Sequence, residues 1–107
     1  MIDLAIYSRS GAIGTIVIDD GKANVMSLAM LNALHAAFDQ AERDKTVVIL
    51  KARGKHFSGG FDLSVFAKGS AQDQVLMVKA GAELALRILS FPTPVVACQG
   101  RGTRSTR

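Results

Sequence analysis

The sequence feature that most constrains the fold is the run TVVILKA, residues 46–52, which lies between two segments of helical periodicity. Residues 47–50 are consecutively apolar and three of them are β-branched, which is typical of a strand buried on both faces of a parallel sheet. Parallel strands need long crossover connections, and helices usually supply them. The run therefore predicts an α/β fold.

The segments before this run supply a hairpin and a helix. Residues 2–8 and 13–18 predict two strands joined by a turn around Gly11. Ser27 offers an N-cap oxygen to a helix predicted over residues 28–43. The core face of this helix is predicted from four apolar residues at helical spacing: Leu31, Leu34, Phe38 and Ala41.

The segments after the run predict a second helix over residues 72–89 and a short strand over residues 95–98. Glu83 and Arg87 stand at i,i+4 spacing and predict an ion pair on the flank of the helix. The order of strands and helices predicts a mainly parallel sheet. Six apolar residues are predicted to line one side of the second helix: Val75, Val78, Ala82, Ala85, Leu86 and Leu89.

Length and cysteine usage limit the class of protein. A chain of 107 residues holds at most one small domain, and no apolar run approaches the length needed to span a bilayer. The single cysteine, Cys98, excludes a disulfide framework and argues against a cysteine-based metal site. We therefore expect a cytoplasmic protein with no metal site and no membrane association.

Charge argues against nucleic-acid binding. The net charge is +4, but three of the thirteen basic residues lie in the last seven positions, at Arg101, Arg104 and Arg107. Without that tail, ten basic residues face nine acidic ones, and no stripe of Lys and Arg with interleaved aromatics is present. We accordingly divide the chain into a domain over residues 1–100 and an atypical basic tail over residues 101–107.

The loop after the central strand reads GKHFSGGFDL, residues 54–63. In open parallel sheets, ligands bind just beyond the carboxyl ends of the strands. Gly59 and Gly60 would let the backbone approach a ligand closely, and free peptide N–H groups could face an anion or a developing oxyanion. An ordinary glycine turn between strand and helix explains the same residues, so spacing alone leaves both readings open.

Three motifs in register resemble the crotonase (enoyl-CoA hydratase/isomerase) superfamily. They are NVMS at residues 24–27, HFSGGFDL at residues 56–63 and FPTPVVACQG at residues 91–100. The resemblance implies an α/β, crotonase-like (ClpP/crotonase) fold of ββα repeats, here incomplete. It also implies an acyl-coenzyme A thioester as substrate, with coenzyme A as part of the substrate and no separate cofactor.

The resemblance also assigns site residues. The peptide N–H of Phe61 would be one of two oxyanion-hole donors to the thioester oxygen as it becomes an enolate. Family members more often have Ala at this position, so the Phe61 side chain would fill part of the acyl pocket. Residues that would line the bound coenzyme A are Ala23, Val25, Gly59, Gly60, Phe61, Asp62 and Leu63.

The sequence departs from the family pattern after Gly100. The second oxyanion donor, both acid/base glutamates and the C-terminal helices of the family trimer would all come later. We therefore expect an N-terminal part of a crotonase-like domain, with little hydratase activity and no family-type trimer. Glu42 and Glu83 lie outside the motifs and are expected to be solvated. The alternative is a non-catalytic interaction fragment that associates through an unfinished sheet edge.

Surface or structural positions are expected for most of the remaining candidate residues. His35 is expected at or near the surface, and His56 could form a hydrogen bond beside the glycine loop. Asp62 is expected to cap a following short helix. Cys98 is expected to be a small buried apolar residue, and adaptable packing is expected for three methionines: Met26, Met30 and Met77.

Overall fold

The computed structural model of the chain describes residues 4–21, 26–52 and 70–99. Within these residues, four strands and two helices follow one another as β1 (Ala5–Ser10), β2 (Ile13–Ile18), α1 (Leu28–Asp44), β3 (Val47–Ala52), α2 (Ala71–Leu89) and β4 (Val95–Gln99). The predicted elements are all present. The largest boundary difference is in β1, which begins three residues later than the sequence indicates.

The strands form one sheet in the order β1-β2-β3-β4 across the described residues. β1 and β2 form the predicted antiparallel hairpin, and Gly11 occupies its turn with a φ of +59°, where a side chain would be strained. β3 is parallel to β2 and to β4. The mainly parallel sheet predicted from the TVVILKA run is therefore confirmed.

Helix α1 begins and ends where its sequence provides caps. The Ser27 side chain accepts a hydrogen bond from the Met30 amide at 3.1 Å, as expected of an N-cap serine. Lys45 ends the helix in the left-handed conformation, with a φ of +57°, and its amide donates to the carbonyl oxygens of Ala41 and Glu42. The four residues predicted for the core face are all buried.

One face of the sheet carries the hydrophobic core. The side chains of Ile16, Ile18, Val48 and Leu50 are buried against α1, and Leu84 of α2 joins the same cluster. The burial of β3 alternates, however, and its other face is only partly buried. The expectation that β3 is buried on both faces is therefore wrong. Both helices of the described part pack on one face of the sheet.

The side of helix α2 that packs against the core is not the side that carries the predicted apolar stripe. Met77 and Leu84 are its buried residues, with Ala80 and Ile88 packed partly against the core. The six apolar residues predicted to share a side do share one, but this side faces away from the core and is exposed. Sequence periodicity identified the stripe without identifying its direction.

Candidate active site

The carboxyl ends of three strands meet at one edge of the sheet. Ile18 at the end of β2 is the lateral neighbour of Ala52 at the end of β3, and Ala52 is the neighbour of Gln99 in β4. Neighbouring strands lie about 4.8 Å apart, so the chain leaves the sheet at three points within about 10 Å. We call this the carboxyl edge, and in parallel sheets it is where ligands bind.

Each of the three family-like motifs is connected in sequence to one of these three strand ends. Ala23 and Val25 follow Ile18 by five and seven residues, and the 59–63 segment follows Ala52 within eleven residues. The described residues thus bring the starting points of the motif loops together. All seven predicted coenzyme A and oxyanion residues, from Ala23 to Leu63, lie outside the described residues, so their roles stay predictions. The same holds for His56 and for the Cys98 side chain.

The turn after β2 is described as far as Gly21 and shows how the chain leaves the sheet. The Gly21 amide donates to the Asp19 carboxylate at 2.9 Å, and Gly21 has a φ of +79°. A side-chain oxygen accepting from the amide two residues on is the local contact that Asp makes in turns. The chain is therefore turned sharply away from β2 just before the first motif.

Both helices described in the structure follow, along the chain, a strand that ends at the carboxyl edge. α1 has no acidic residue in its first turn. No acidic side chain within the first turn of α1 therefore offsets the partial positive charge of its N-terminus. α2 differs, since Ser70 and Asp73 form a capping box in which each side chain accepts from the other residue's amide, at 3.1 and 3.3 Å. Of the two, the α1 end is the more favourable to an anion.

The ionic cluster of the two helices lies far from this edge. Arg87, near the end of α2, donates to Asp39 at 2.7 Å and to Glu42 at 3.1 Å on α1. It also donates to the carbonyl oxygen of His35 at 3.1 Å. The predicted pair between Arg87 and Glu83 is wrong, because the guanidinium points across to α1 instead. These groups tie the helices together at the opposite end from the carboxyl edge.

A second polar cluster also lies at the opposite, amino edge of the sheet. The Tyr7 hydroxyl donates to Asp44 at 2.9 Å and lies 3.0 Å from the hydroxyl of Thr46, which is fully buried. Gly14 makes this contact possible, since a Cβ there would lie 2.6 Å from the Tyr7 ring and closer still to Thr46. The cluster joins β1, β2 and the start of β3 and is structural.

The remaining polar candidates behave as non-catalytic residues. His35 is half-buried, as expected, and its Nδ1 lies 3.2 Å from Arg87 Nη1. Because an arginine N–H can only donate, Nδ1 is the acceptor in this contact. Glu42 and Glu83 are both exposed, as predicted, although Glu42 is held by Arg87. Three methionines pack as expected: Met30 and Met77 are buried and Met26 is partly buried.

In the part of the chain that the structure describes, no group of three or more His, Cys, Asp or Glu side chains is arranged to hold a metal ion. Neither α1 nor α2, the helices that the structure describes, combines the length and apolarity needed to cross a membrane.

A mainly parallel sheet whose strands end together at a carboxyl edge defines an α/β protein of the class in which ligands bind at that edge. Comparison with known proteins identifies its family. Residues 8–103 match the enoyl-CoA hydratase/isomerase family model, so the chain belongs to this family, the crotonase family.

Individual relatives agree with this assignment. The enoyl-CoA isomerase of Mycobacterium tuberculosis, in its apo structure, is 43% identical with a TM-score of 0.85, over 91% of this chain and 42% of that one. A family protein from Pseudomonas syringae is 36% identical with a TM-score of 0.86, over the same shares of both chains. A Bacillus subtilis protein named "Probable enoyl-CoA hydratase" is 35% identical over 79% of this chain and 34% of its own length.

These likenesses confirm the predicted crotonase-like fold. They also show that the chain spans only about 34–42% of the length of these relatives. The fold described here is accordingly the part of a crotonase-like domain that carries the first motif loops.

Proposed function

We propose that this chain contributes one half of a site that binds an acyl-coenzyme A thioester and polarises its carbonyl group. One observation carries the proposal. In a chain of the enoyl-CoA hydratase/isomerase family, the β3 strand that precedes the HFSGGFDL motif ends at the carboxyl edge, beside the exit that precedes NVMS. Two loops that leave the sheet side by side can approach the same ligand.

In this proposal a peptide N–H, not a side chain, stabilises the negative charge that develops during the reaction. In hydration or isomerisation of a 2-enoyl thioester, the carbonyl oxygen gains negative charge as the enolate forms. The N–H of Phe61 would donate to that oxygen, and its donation would strengthen as the charge develops. Loss of one donor of this kind costs about 3–4 kcal/mol of transition-state stabilisation in other oxyanion holes. No side-chain nucleophile, metal or separate cofactor takes part in this proposal.

Binding of coenzyme A would use backbone and small side chains around the same two loops. These are Ala23, Val25, Gly59, Gly60, Phe61, Asp62 and Leu63. The N-terminus of α1 follows the first loop directly and has no acidic residue in its first turn, which favours an anionic ligand nearby. A cytoplasmic location, inferred from cysteine usage, remains part of this proposal.

The 107 residues by themselves would supply one donor and no acid/base glutamate. Glu42 and Glu83 cannot fill that role, because both lie on exposed helix surfaces and Glu42 pairs with Arg87. We therefore propose that the 107-residue polypeptide binds the thioester but adds water to it at close to the uncatalysed rate, and that it does not form the family trimer.

The test combines turnover and binding on the purified polypeptide. Hydration of crotonyl-coenzyme A is followed spectrophotometrically, and binding of the same thioester is measured by calorimetry. We expect binding that Phe61→Pro weakens, since proline has no N–H, and that Phe61→Ala preserves. Robust turnover would contradict the account of an incomplete site. Equal binding of crotonyl-coenzyme A to both variants would contradict the role of the Phe61 N–H.

A second candidate function rests on the position of β4. In the described sheet β4 is an outer strand, and outer strands offer unpaired N–H and C=O groups to other chains. The chain could then act as a non-catalytic fragment that adds its edge to a partner sheet. Co-purification with a full-length family member would support this function, and its loss in a Val96→Lys variant would locate the contact at β4. Failure to co-purify would exclude it.

A further inference from the structure

The segment between β2 and α1, which carries the NVMS motif, is anchored on both sides by described residues. On the β2 side, the turn that ends at Gly21 fixes the direction in which the chain leaves the sheet. On the α1 side, Met26 is partly buried against the hydrophobic core, and the Ser27 side chain caps the helix. Only residues 22–25 lie between Gly21 and Met26. Because so short a connection leaves little chain to compensate, a change of direction at Gly21 would reorient the residues that follow it.

Asp19 connects this turn to the sheet through both its backbone and its side chain. Its amide donates to the Leu4 carbonyl oxygen at 2.9 Å, which continues the hairpin one residue beyond the pair of Ala5 and Ile18. Its carboxylate oxygen Oδ1 accepts from the Gly21 amide, also at 2.9 Å. The sheet therefore sets the position of Gly21 through Asp19.

Gly21 gives the turn its direction. Its φ of +79° lies in the left-handed region, which glycine adopts freely and alanine adopts only under strain. Among the described residues, no atom lies within 4 Å of a Cβ built at Gly21. The backbone conformation, and not crowding by these residues, is therefore what favours glycine at this position. Ala23, which is predicted to line coenzyme A, is only two residues further along the chain.

We propose that Asp19 is a positioning residue for coenzyme A, because its carboxylate holds the Gly21 turn and thereby sets the direction from which residues 22–25 reach the ligand. This inference rests on the proposed function, in which Ala23 and Val25 line the bound coenzyme A. A loop that is held in its binding conformation before the ligand arrives loses less conformational entropy on binding, so it binds more tightly. Asp19 acts through the turn and not by touching the ligand.

The effect of Asp19 concerns the coenzyme A part of the ligand and not the thioester carbonyl. The segment that Asp19 holds follows β2, which ends at Ile18, whereas the Phe61 segment follows β3, which ends at Ala52. Loss of the Asp19 contact should therefore weaken binding of free coenzyme A and of crotonyl-coenzyme A by the same factor, about threefold to tenfold for one hydrogen bond. Removal of the negative charge alone would act in the opposite direction, because coenzyme A is itself an anion.

The first test compares Asp19→Ala with Asp19→Asn by calorimetry, using free coenzyme A and crotonyl-coenzyme A. Both variants remove the charge, but asparagine keeps a side-chain oxygen that can accept from the Gly21 amide. Asp19→Ala should bind both ligands about threefold to tenfold more weakly than the parent, and Asp19→Asn at least as tightly as the parent. Equal affinities of the two variants would overturn the positioning role alone. A parent that binds neither ligand would overturn the proposed function and the role of Asp19 with it.

The second test separates positioning from a general loss of stability. Gly21→Ala should weaken coenzyme A binding as Asp19→Ala does, whereas Gly21→Asn should weaken it less, because asparagine tolerates a positive φ. Gly14→Ala is the matched control, since its new Cβ would overlap Tyr7 and Thr46 near the amino edge and should lower stability without changing the affinity for coenzyme A.

The infrared carbonyl band of bound crotonyl-coenzyme A provides a readout that a merely structural role would not divide from affinity. With the ligand saturated by protein, the band should have the same frequency in Asp19→Ala as in the parent, although the affinity is lower. Weakening by Gly14→Ala as large as that by Asp19→Ala would overturn the proposal. A band that returns to its solution frequency in Asp19→Ala would also overturn it, because Asp19 would then act on the Phe61 segment as well.

Discussion

Removal of the Arg87 guanidinium should weaken the packing of the two helices, because this one group contacts four acceptor atoms on α1, one of them His35 Nδ1 at 3.2 Å. It lies 2.7 Å from Asp39, 3.1 Å from Glu42 and 3.1 Å from the His35 carbonyl oxygen. It also lies 5.9 Å from the ring centroid of Phe38 and equally far from that of Phe91. The variant Arg87→Met keeps most of the aliphatic stem and removes all of these contacts.

The expected loss of stability in Arg87→Met depends on how exposed the acidic partners of Arg87 are. The Asp39 and Glu42 side chains are 57% and 53% exposed, so each ion pair contributes about 0.2–1 kcal/mol after screening. The hydrogen bond to His35 adds about 1 kcal/mol, and the cation–π contacts add about 0.5–1 kcal/mol. Arg87→Met should therefore lower the free energy of unfolding by about 2–3 kcal/mol.

The assay is urea unfolding at 25 °C, at low and at high salt. Arg87→Lys keeps the charge but lacks the planar fork that reaches four acceptor atoms, so its stability should fall between those of the parent and Arg87→Met. Arg43→Met removes an exposed arginine from α1 and should change stability by less than about 0.5 kcal/mol. High salt should reduce the loss in Arg87→Met. A loss as small as that of Arg43→Met would refute the reasoning.

Substitutions at three further positions test the packing and capping of the elements that lead to the carboxyl edge. Gly14→Ala should cost about 1–3 kcal/mol of stability, because the new Cβ would overlap Tyr7 and Thr46; thermal unfolding checks this, and an unchanged midpoint would contradict the close approach. Ser27→Ala should cost about 1 kcal/mol and Ser27→Gly only a few tenths, and equal losses in urea unfolding would argue against a capping role. Leu34→Ala should cost about 2–5 kcal/mol, since Leu34 is buried, and a loss below 1 kcal/mol by calorimetry would place it outside the core.

The sequence predicted the strands and α1 well because their signals are local. A β-branched run, a hairpin glycine and a serine N-cap act within a few residues, and each is seen in the structure at the expected place. The boundary of β1 was less accurate. Its apolar pattern begins at Ile2, but pairing with β2 starts only at Ala5.

The side of a helix or strand that faces the core, and the partner that a charged side chain meets, were harder to predict. Both depend on residues that are distant in the sequence. Apolar periodicity identified the outer side of α2, from Val75 to Leu89, but not the inner side with Met77 and Leu84 that packs toward the core. The i,i+4 rule paired Arg87 with Glu83, whereas the guanidinium meets Asp39 and Glu42, 48 and 45 residues away. The burial of β3 on one face likewise depends on where the helices pack.

The candidate site was predicted in a different way. Its loops have no helical or strand periodicity. The spacing of Gly59 and Gly60 was therefore also compatible with an ordinary glycine turn. Family resemblance supplied the roles, and the family model over residues 8–103 confirms the family. The structure adds that β2 and β3 end side by side at Ile18 and Ala52, where the motif loops begin. The contacts of Phe61 itself remain a prediction.

The most direct test of the central proposal is the infrared carbonyl band of crotonyl-coenzyme A, labelled with ¹³C at the thioester carbon and bound to the polypeptide. Donation from the Phe61 N–H would lengthen the C=O bond, so the band should move to lower frequency on binding. Phe61→Ala should retain the shift and Phe61→Pro should abolish it. A band that stays at its solution frequency in the parent, or that shifts equally in Phe61→Pro, would contradict the assignment of this loop as half of an oxyanion hole.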